Sequence, residues 1–218
     1  MKPKLIIFDF DGTIGDTRQN IIVTMQRTMR MVGLPVKSDE ECASTIGLTL
    51  ENSFKAMYPD VGADVAARCV DAYRDIFMES VEELIPSLFP GVSETLARLD
   101  AMGIKMSVAS SRQSQSLLYF LERMGVSKYF PYVLGSDNVT KHKPDPEPVL
   151  KTLRELNYAP SDVMVVGDMP VDVAMAHGAD VRAIAVTFGN ATRQELVEAN
   201  ADYIIDDFTR ILDIVEVM

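Results

Sequence analysis

Residues 5–13 read LIIFDFDGT, an unbroken apolar run that stops at two carboxylates, Asp9 and Asp11. Apolar residues without polar alternation mark a strand buried on both faces, which belongs in the middle of a parallel sheet with helices on either side. The same run poses a problem of charge, because carboxylates at the end of a buried strand are costly unless they are paired or hold a metal ion. No Lys, Arg or His occurs in LIIFDFDGTIGDT, so whatever balances the two acids comes from elsewhere.

Five more strand-like runs follow, in KMSVAS, YVLG, DVMVVGD, RAIAVTF and DYIID. Between them apolar residues recur at three- and four-residue spacing, as in Leu117, Leu118, Leu121 and Met124 or Leu150, Leu153 and Leu156, the period of helices packed on a core. KPDPEPVL predicts a helix start with Asp145 as its cap and Pro146 as its first residue. Alternating strands and helices make an α/β chain with a doubly wound, mostly parallel sheet.

Residues 16–85 break that rhythm. Ile21, Ile22, Met25, Met29 and Val32 form one apolar stripe, and Val65, Cys69, Ala72, Ile76 and Val81 form another, with no convincing strand between them. Gly33 and the YPDVG stretch read as turns, and IPSLFPG reads as the return linker. The expectation is an all-helical cap domain over 16–85, inserted into a discontinuous core made of 1–15 and 86–218. Ligands of open α/β sheets bind outside the carboxyl ends of the strands. An insert leaving from the carboxyl end of the first strand hangs over that crevice, where a lid can exclude water and select substrates.

Composition narrows the partners. A net charge of −11, with no Lys/Arg block to offset it, argues against nucleic acid or an anionic membrane. Cys42 and Cys69 lack zinc-ligand spacing and fall in helical stretches, as reduced, buried fillers do. No apolar run approaches the roughly 18 residues of a spanning helix, and Asp9 interrupts the only candidate for a signal-peptide core. The expected protein is soluble and cytoplasmic, a monomer or weak homodimer.

The strand ends carry the chemistry. Asp9 and Asp11, then Ser110, then Asp168 close successive strand runs, and Lys143 lies in the loop after YVLGSDNVT. If those strands are neighbours, acids, a hydroxyl and an amine share one crevice. Oxygen ligands without His or Cys suit a hard divalent cation such as Mg²⁺. A cation beside a nucleophilic carboxylate, with Ser and Lys to hold anionic oxygens, is what phosphoryl transfer needs. Asp can carry the phosphoryl group, and Asp11 is placed to protonate the leaving oxygen and then to activate water.

DFDGTIGDT resembles the first motif of the haloacid dehalogenase superfamily of phosphohydrolases, Asp-x-Asp-x-Thr. VASS resembles that family's Ser/Thr motif, KHKPDP its lysine motif and VVGDMPVD its acidic motif, in the same order and over nearly the whole chain. The resemblance implies a Rossmann-like core with the helical insert as cap. It makes Asp9 the nucleophile and a metal ligand, and Asp11 the general acid/base with its backbone carbonyl on the metal. Thr13 and Gly12 shape the turn around the phosphoryl group, and Ser110 binds a phosphoryl oxygen. Lys143, which directly precedes PDP and is preferred to Lys141, neutralises charge, while Asp168 and Asp172 complete the Mg²⁺ site. Ser111 and Arg112 follow the serine motif as substrate contacts. STIGLTLENSF resembles the family's specificity loop, which makes Thr45, Gly47 and Thr49 lid contacts or, on a plainer reading, a turn between helices. His142 and His177 read as surface or packing residues. Gly15 and Met169 depart from the family pattern, where a larger residue and a Ser are commoner.

The implied activity is Mg²⁺-dependent hydrolysis of a small phosphate monoester, phosphoglycolate-like, through an aspartyl-phosphate. AVTFGNATRQELVEANADYIID carries the likeness to phosphoglycolate phosphatases. A β-phosphoglucomutase-like transferase, a pyrophosphatase and a nucleotidase share the motifs. A phospho-acceptor switch without turnover is the alternative of another class, and a degenerate ligand-binding relic ranks last.

Overall fold

The computed structural model describes residues 2–217; Met1 and Met218, which the expected core segments include, lie outside the described residues. Its centre is a six-stranded sheet of β1 (Leu5–Phe8), β4 (Lys105–Ala109), β5 (Tyr132–Leu134), β6 (Val163–Gly167), β7 (Arg182–Val186) and β8 (Tyr203–Ile205). Strand order is β5-β4-β1-β6-β7-β8, and every neighbouring pair runs parallel. The core is therefore α/β and Rossmann-like, with β1 flanked on both sides. Its alternate residues serve opposite faces: Ile6 and Phe8 join one apolar cluster, Leu5 and Ile7 the other.

Helices cover both faces. α5 (Val92–Ala101), α6 (Ser114–Arg123) and α10 (Arg210–Val217) bury Leu96, Leu117, Phe120 and Ile211 on the Phe8 side. α7 (Glu147–Leu156), α8 (Pro170–Gly178) and α9 (Arg193–Glu198) bury Val149, Val173 and Leu196 on the other. Helix α7 starts one residue later than KPDPEPVL suggested. Pro146 precedes it and Asp145 Oδ1 accepts the Glu147 N–H at 2.9 Å, so the Asp still caps the turn.

After β1 the chain runs through α1 (Arg18–Val32), α2 (Asp39–Ala43), α3 (Leu50–Met57) and α4 (Ala63–Ser80). These helices share a separate apolar cluster in which Ile22, Met25, Met29, Phe54 and Cys69 meet. The sequence showed no sign of one further element. β2 (Gly15–Asp16) and β3 (Ser87–Leu88) form an antiparallel ribbon where the chain leaves and re-enters the sheet domain. Two-residue strands are too short to carry a hydrophobic period, and they pair only because the insertion brings its own ends together. Gly15 fits there because an added Cβ would lie 3.2 Å from the Phe10 ring.

Candidate active site

Phe8 is in register with Val108 on one side and Val166 on the other, so the residues that follow each strand stand side by side. Beyond β1 the ladder runs one step further, the Asp9 N–H donating to Val166 O at 2.8 Å, and beyond β4 the Ser110 N–H donates to Leu134 O at 2.9 Å. Asp168 directly follows β6. The sheet reverses its winding at β1, and the crevice there is where open α/β folds place ligands.

Lys143 reaches this point from the loop before α7. Its Nζ donates to Asp9 Oδ1 at 2.5 Å and to Asp172 Oδ1 at 2.7 Å, with all three residues at most 5% exposed. Lys141, by contrast, points outward toward Asp145. Asp172 lies in the first turn of α8, where its Oδ2 accepts the Met169 N–H at 3.1 Å. Asp168 is fully buried; its Oδ2 accepts from the backbone and the side-chain amide of Asn190, at 2.7 and 2.8 Å. Thr13 Oγ1 lies 3.4 Å from its other oxygen. Gly12 passes between these groups at φ +89°, and a Cβ there would come within 2.2 Å of Asp168 Oδ2. Only glycine accommodates both demands.

Oxygen atoms of Asp9, Asp168 and Asp172 lie within 4.8 Å of one another. Burial and the neighbouring carboxylates raise Asp9 well above the usual carboxylate range, against the pull of Lys143. Burial and Asp172 push Asp168 up to about 7 although Asn190 favours its charged form. Lys143 is itself raised, because Asp172 and Asp9 outweigh the effect of its burial. The cluster thus holds more negative charge than Lys143 can balance, on hard oxygen donors and without His or Cys. These residues fit a small divalent cation.

Asp11 turns the other way. Arg112 grips it with two hydrogen bonds, Nη2 to Oδ1 at 2.7 Å and Nε to Oδ2 at 3.2 Å. The guanidinium carbon lies 6.0, 5.6 and 5.0 Å from the ring centres of Phe10, Phe77 and Phe120, a setting that favours a planar cation. Phe77 comes from α4, so this pair is held from both sides of the crevice. Ser110 Oγ accepts the Arg112 N–H at 3.1 Å. Ser111 Oγ donates to Gly47 O at 2.6 Å across the crevice. Gly47 is at φ +98°, and Met169 packs 3.3 Å from where its Cβ would be. Thr45 Oγ1 is turned inward to Cys42 O, and Thr49 caps α3 through Asn52 N. His142 borders the crevice with a buried, unpartnered Nδ1, while His177 sits at the surface against Asp202.

Asn190 escaped the sequence reading. It stands in the loop after β7, and the carboxyl end of that strand was the signal available. Arg18, at the start of α1, donates to Asn190 Oδ1 at 3.3 Å and so ties the helical insert to the same loop.

A cavity of about 600 Å³ opens above the cluster, between the sheet ends and the helices α1, α3 and α4. The model of the family described as "Haloacid dehalogenase-like hydrolase" matches residues 6–186. The chain belongs to that family. "Probable phosphatase IndB" of Dickeya dadantii is 36% identical over 97% of this chain and 93% of its own length. The pyrophosphatase PpaX of Oceanobacillus iheyensis is 29% identical over 99% and 98%. The phosphoglycolate phosphatase of Vibrio parahaemolyticus is 28% identical over 98% and 96%. A crystal structure described as a haloacid dehalogenase-like hydrolase from Bacteroides fragilis superposes with a TM-score of 0.91 at 30% identity, covering 96% of this chain and all of the other. Among the described residues no helix is long and apolar enough to cross a membrane.

Proposed function

We propose that this haloacid dehalogenase-like hydrolase is a cytoplasmic, Mg²⁺-dependent phosphatase that hydrolyses phosphate monoesters of small molecules through an aspartyl-phosphate on Asp9. The observation that carries the reading is the buried cluster of Asp9, Lys143, Asp168 and Asp172, of which Asp9 reaches the cavity. Asp9, Asp168, Asp172 and the Asp11 carbonyl would hold the cation, which supplies charge neutralisation for the transferring phosphoryl group.

Asp9 attacks phosphorus in line with the ester oxygen, forming a P–O bond as the bond to the leaving alcohol breaks. Lys143 holds the carboxylate by one oxygen and offsets charge on the phosphoryl group. Ser110, whose Oγ accepts the Arg112 N–H and keeps its own hydrogen, stands on the same side to donate to a phosphoryl oxygen. Asp11 protonates the departing alcohol and then takes a proton from the water that attacks the aspartyl-phosphate, returning Asp9 and releasing phosphate. Arg112 holds Asp11 with two hydrogen bonds and sets the direction of its carboxyl group. The helices of residues 16–85 act as the cap, which keeps bulk water from the intermediate.

Release of inorganic phosphate from p-nitrophenyl phosphate with Mg²⁺ tests the reading. Many turnovers per chain are expected. Labelling that stops at one phosphate per chain would make the protein a phospho-acceptor switch instead.

A further inference from the structure

The cavity is larger and more apolar than the smallest phosphate esters need. Its roughly 600 Å³ falls in the middle of the range of sites that enclose drug-sized organic ligands, whereas a two-carbon acid phosphate or pyrophosphate would leave most of it empty. The reacting end accounts for Asp9, Asp11, Ser110 and Arg112. Away from that end the cap side presents Leu48 from the loop before α3 and Tyr73 and Met78 from α4, backed by the buried Ile21 and Met25 of α1.

The charged groups on the remaining wall discriminate further. A second anion on the substrate needs a buried, hydrogen-bonded cation to replace its water. Among the described residues only Arg74 and Arg112 line the cavity as full cations. Arg112 is committed to the reacting end by its hold on Asp11. Arg74 is half exposed, 3.9 Å from Asp71. Asp137, which accepts the Ser114 N–H, also lines the wall and would repel a carboxylate or a second phosphate, while Glu51 there is paired to Lys55. Met78 stands 60% exposed at this wall, a large apolar side chain that a substrate body can cover.

We infer that the substrate is the phosphate monoester of an uncharged alcohol bearing an apolar, ring-sized body, which packs against Leu48, Tyr73 and Met78 while the phosphoryl group meets Asp9. This rests on the phosphatase reading and names its substrate class.

The test compares kcat/KM, with Mg²⁺, for 2-phenylethyl phosphate, ethyl phosphate, phosphoglycolate and pyrophosphate. The two alkyl esters have similar leaving groups, so their ratio reports the body and not the chemistry. The phenyl ester should exceed each of the others by about tenfold or more. Parity with ethyl phosphate, or preference for phosphoglycolate or pyrophosphate, would overturn the substrate class while p-nitrophenyl phosphate hydrolysis left the phosphatase reading standing. Absence of turnover on every ester, p-nitrophenyl phosphate included, would overturn both. Met78→Lys, at an exposed position, should lower the ratio of phenyl ester to phosphoglycolate about tenfold. A ratio that does not move would remove this wall from substrate selection.

Discussion

The two sides of the crevice hold their residues by different means. On the sheet side, Asp9, Lys143, Asp168 and Asp172 are fixed by buried hydrogen bonds that close on one another and on the Asn190 loop. On the helical side, Tyr73, Phe77 and Met78 are carried by α4, which packs on α1 and α3 through Met25, Phe54 and Cys69. Ties across the gap include the Ser111 to Gly47 hydrogen bond, the Arg18 to Asn190 contact, the packing of Met169 on Gly47, the seat of Phe77 over Arg112 and against Phe120, and the pairing of Glu82 with Tyr119 and Arg123. A polar network in a low-dielectric site is rigid and intolerant of partial loss. Apolar packing joined through a two-residue ribbon can shift as a body. The sheet side is suited to chemistry, and the helical side to admission and choice of substrate.

The largest effect should come from the sheet side. Asp9→Asn should lower kcat by at least about 10³-fold with an unchanged circular dichroism spectrum; substantial residual turnover would remove Asp9 as nucleophile. Chelation with EDTA should abolish phosphate release and added Mg²⁺ should restore it, because three buried carboxylates then lose their counter-charge. Activity surviving thorough chelation would place the metal elsewhere or nowhere.

The helical side should fail differently. Phe54 is fully buried in its cluster, so Phe54→Ala should cost about 3–5 kcal/mol in urea unfolding and raise KM more than it lowers kcat. An equal loss in kcat would show that the two sides do not act separately. Ser111→Ala removes one hydrogen bond between them, worth about 0.5–1.5 kcal/mol. A rise in KM of several-fold at nearly constant thermal midpoint is expected; an unchanged KM would mean that the Gly47 contact does not position the cap.

The six sheet strands were legible because each is a short apolar run that needs cover on both faces, and the strand-end acids stood out as charges with no local partner. The α1 and α4 stripes were legible by their helical period. The β2–β3 ribbon was not, since Gly15–Asp16 and Ser87–Leu88 hold no pattern and find each other only through the path of the intervening chain. Arg112 is a second case. Its place after Ser110 and Ser111 was plain, but its grip on Asp11 depends on three phenylalanines from separate elements converging on one guanidinium. Met169 and Gly47, odd or neutral as letters, turn out to pack against each other across the crevice.

What the sequence by itself determined is the set of sheet strands, the helical stretch between β1 and β4, and which carboxylates, hydroxyls and amines stand at the strand ends, because burial pattern and residue type are local properties. Only the tertiary structure decided which charges meet, that Lys143 bridges Asp9 and Asp172 while Arg112 takes Asp11, and that Asn190 holds Asp168. Those pairings join residues up to 134 positions apart, and electrostatic energy depends on separation in space and on the water excluded between charges, neither of which is written in the order of residues.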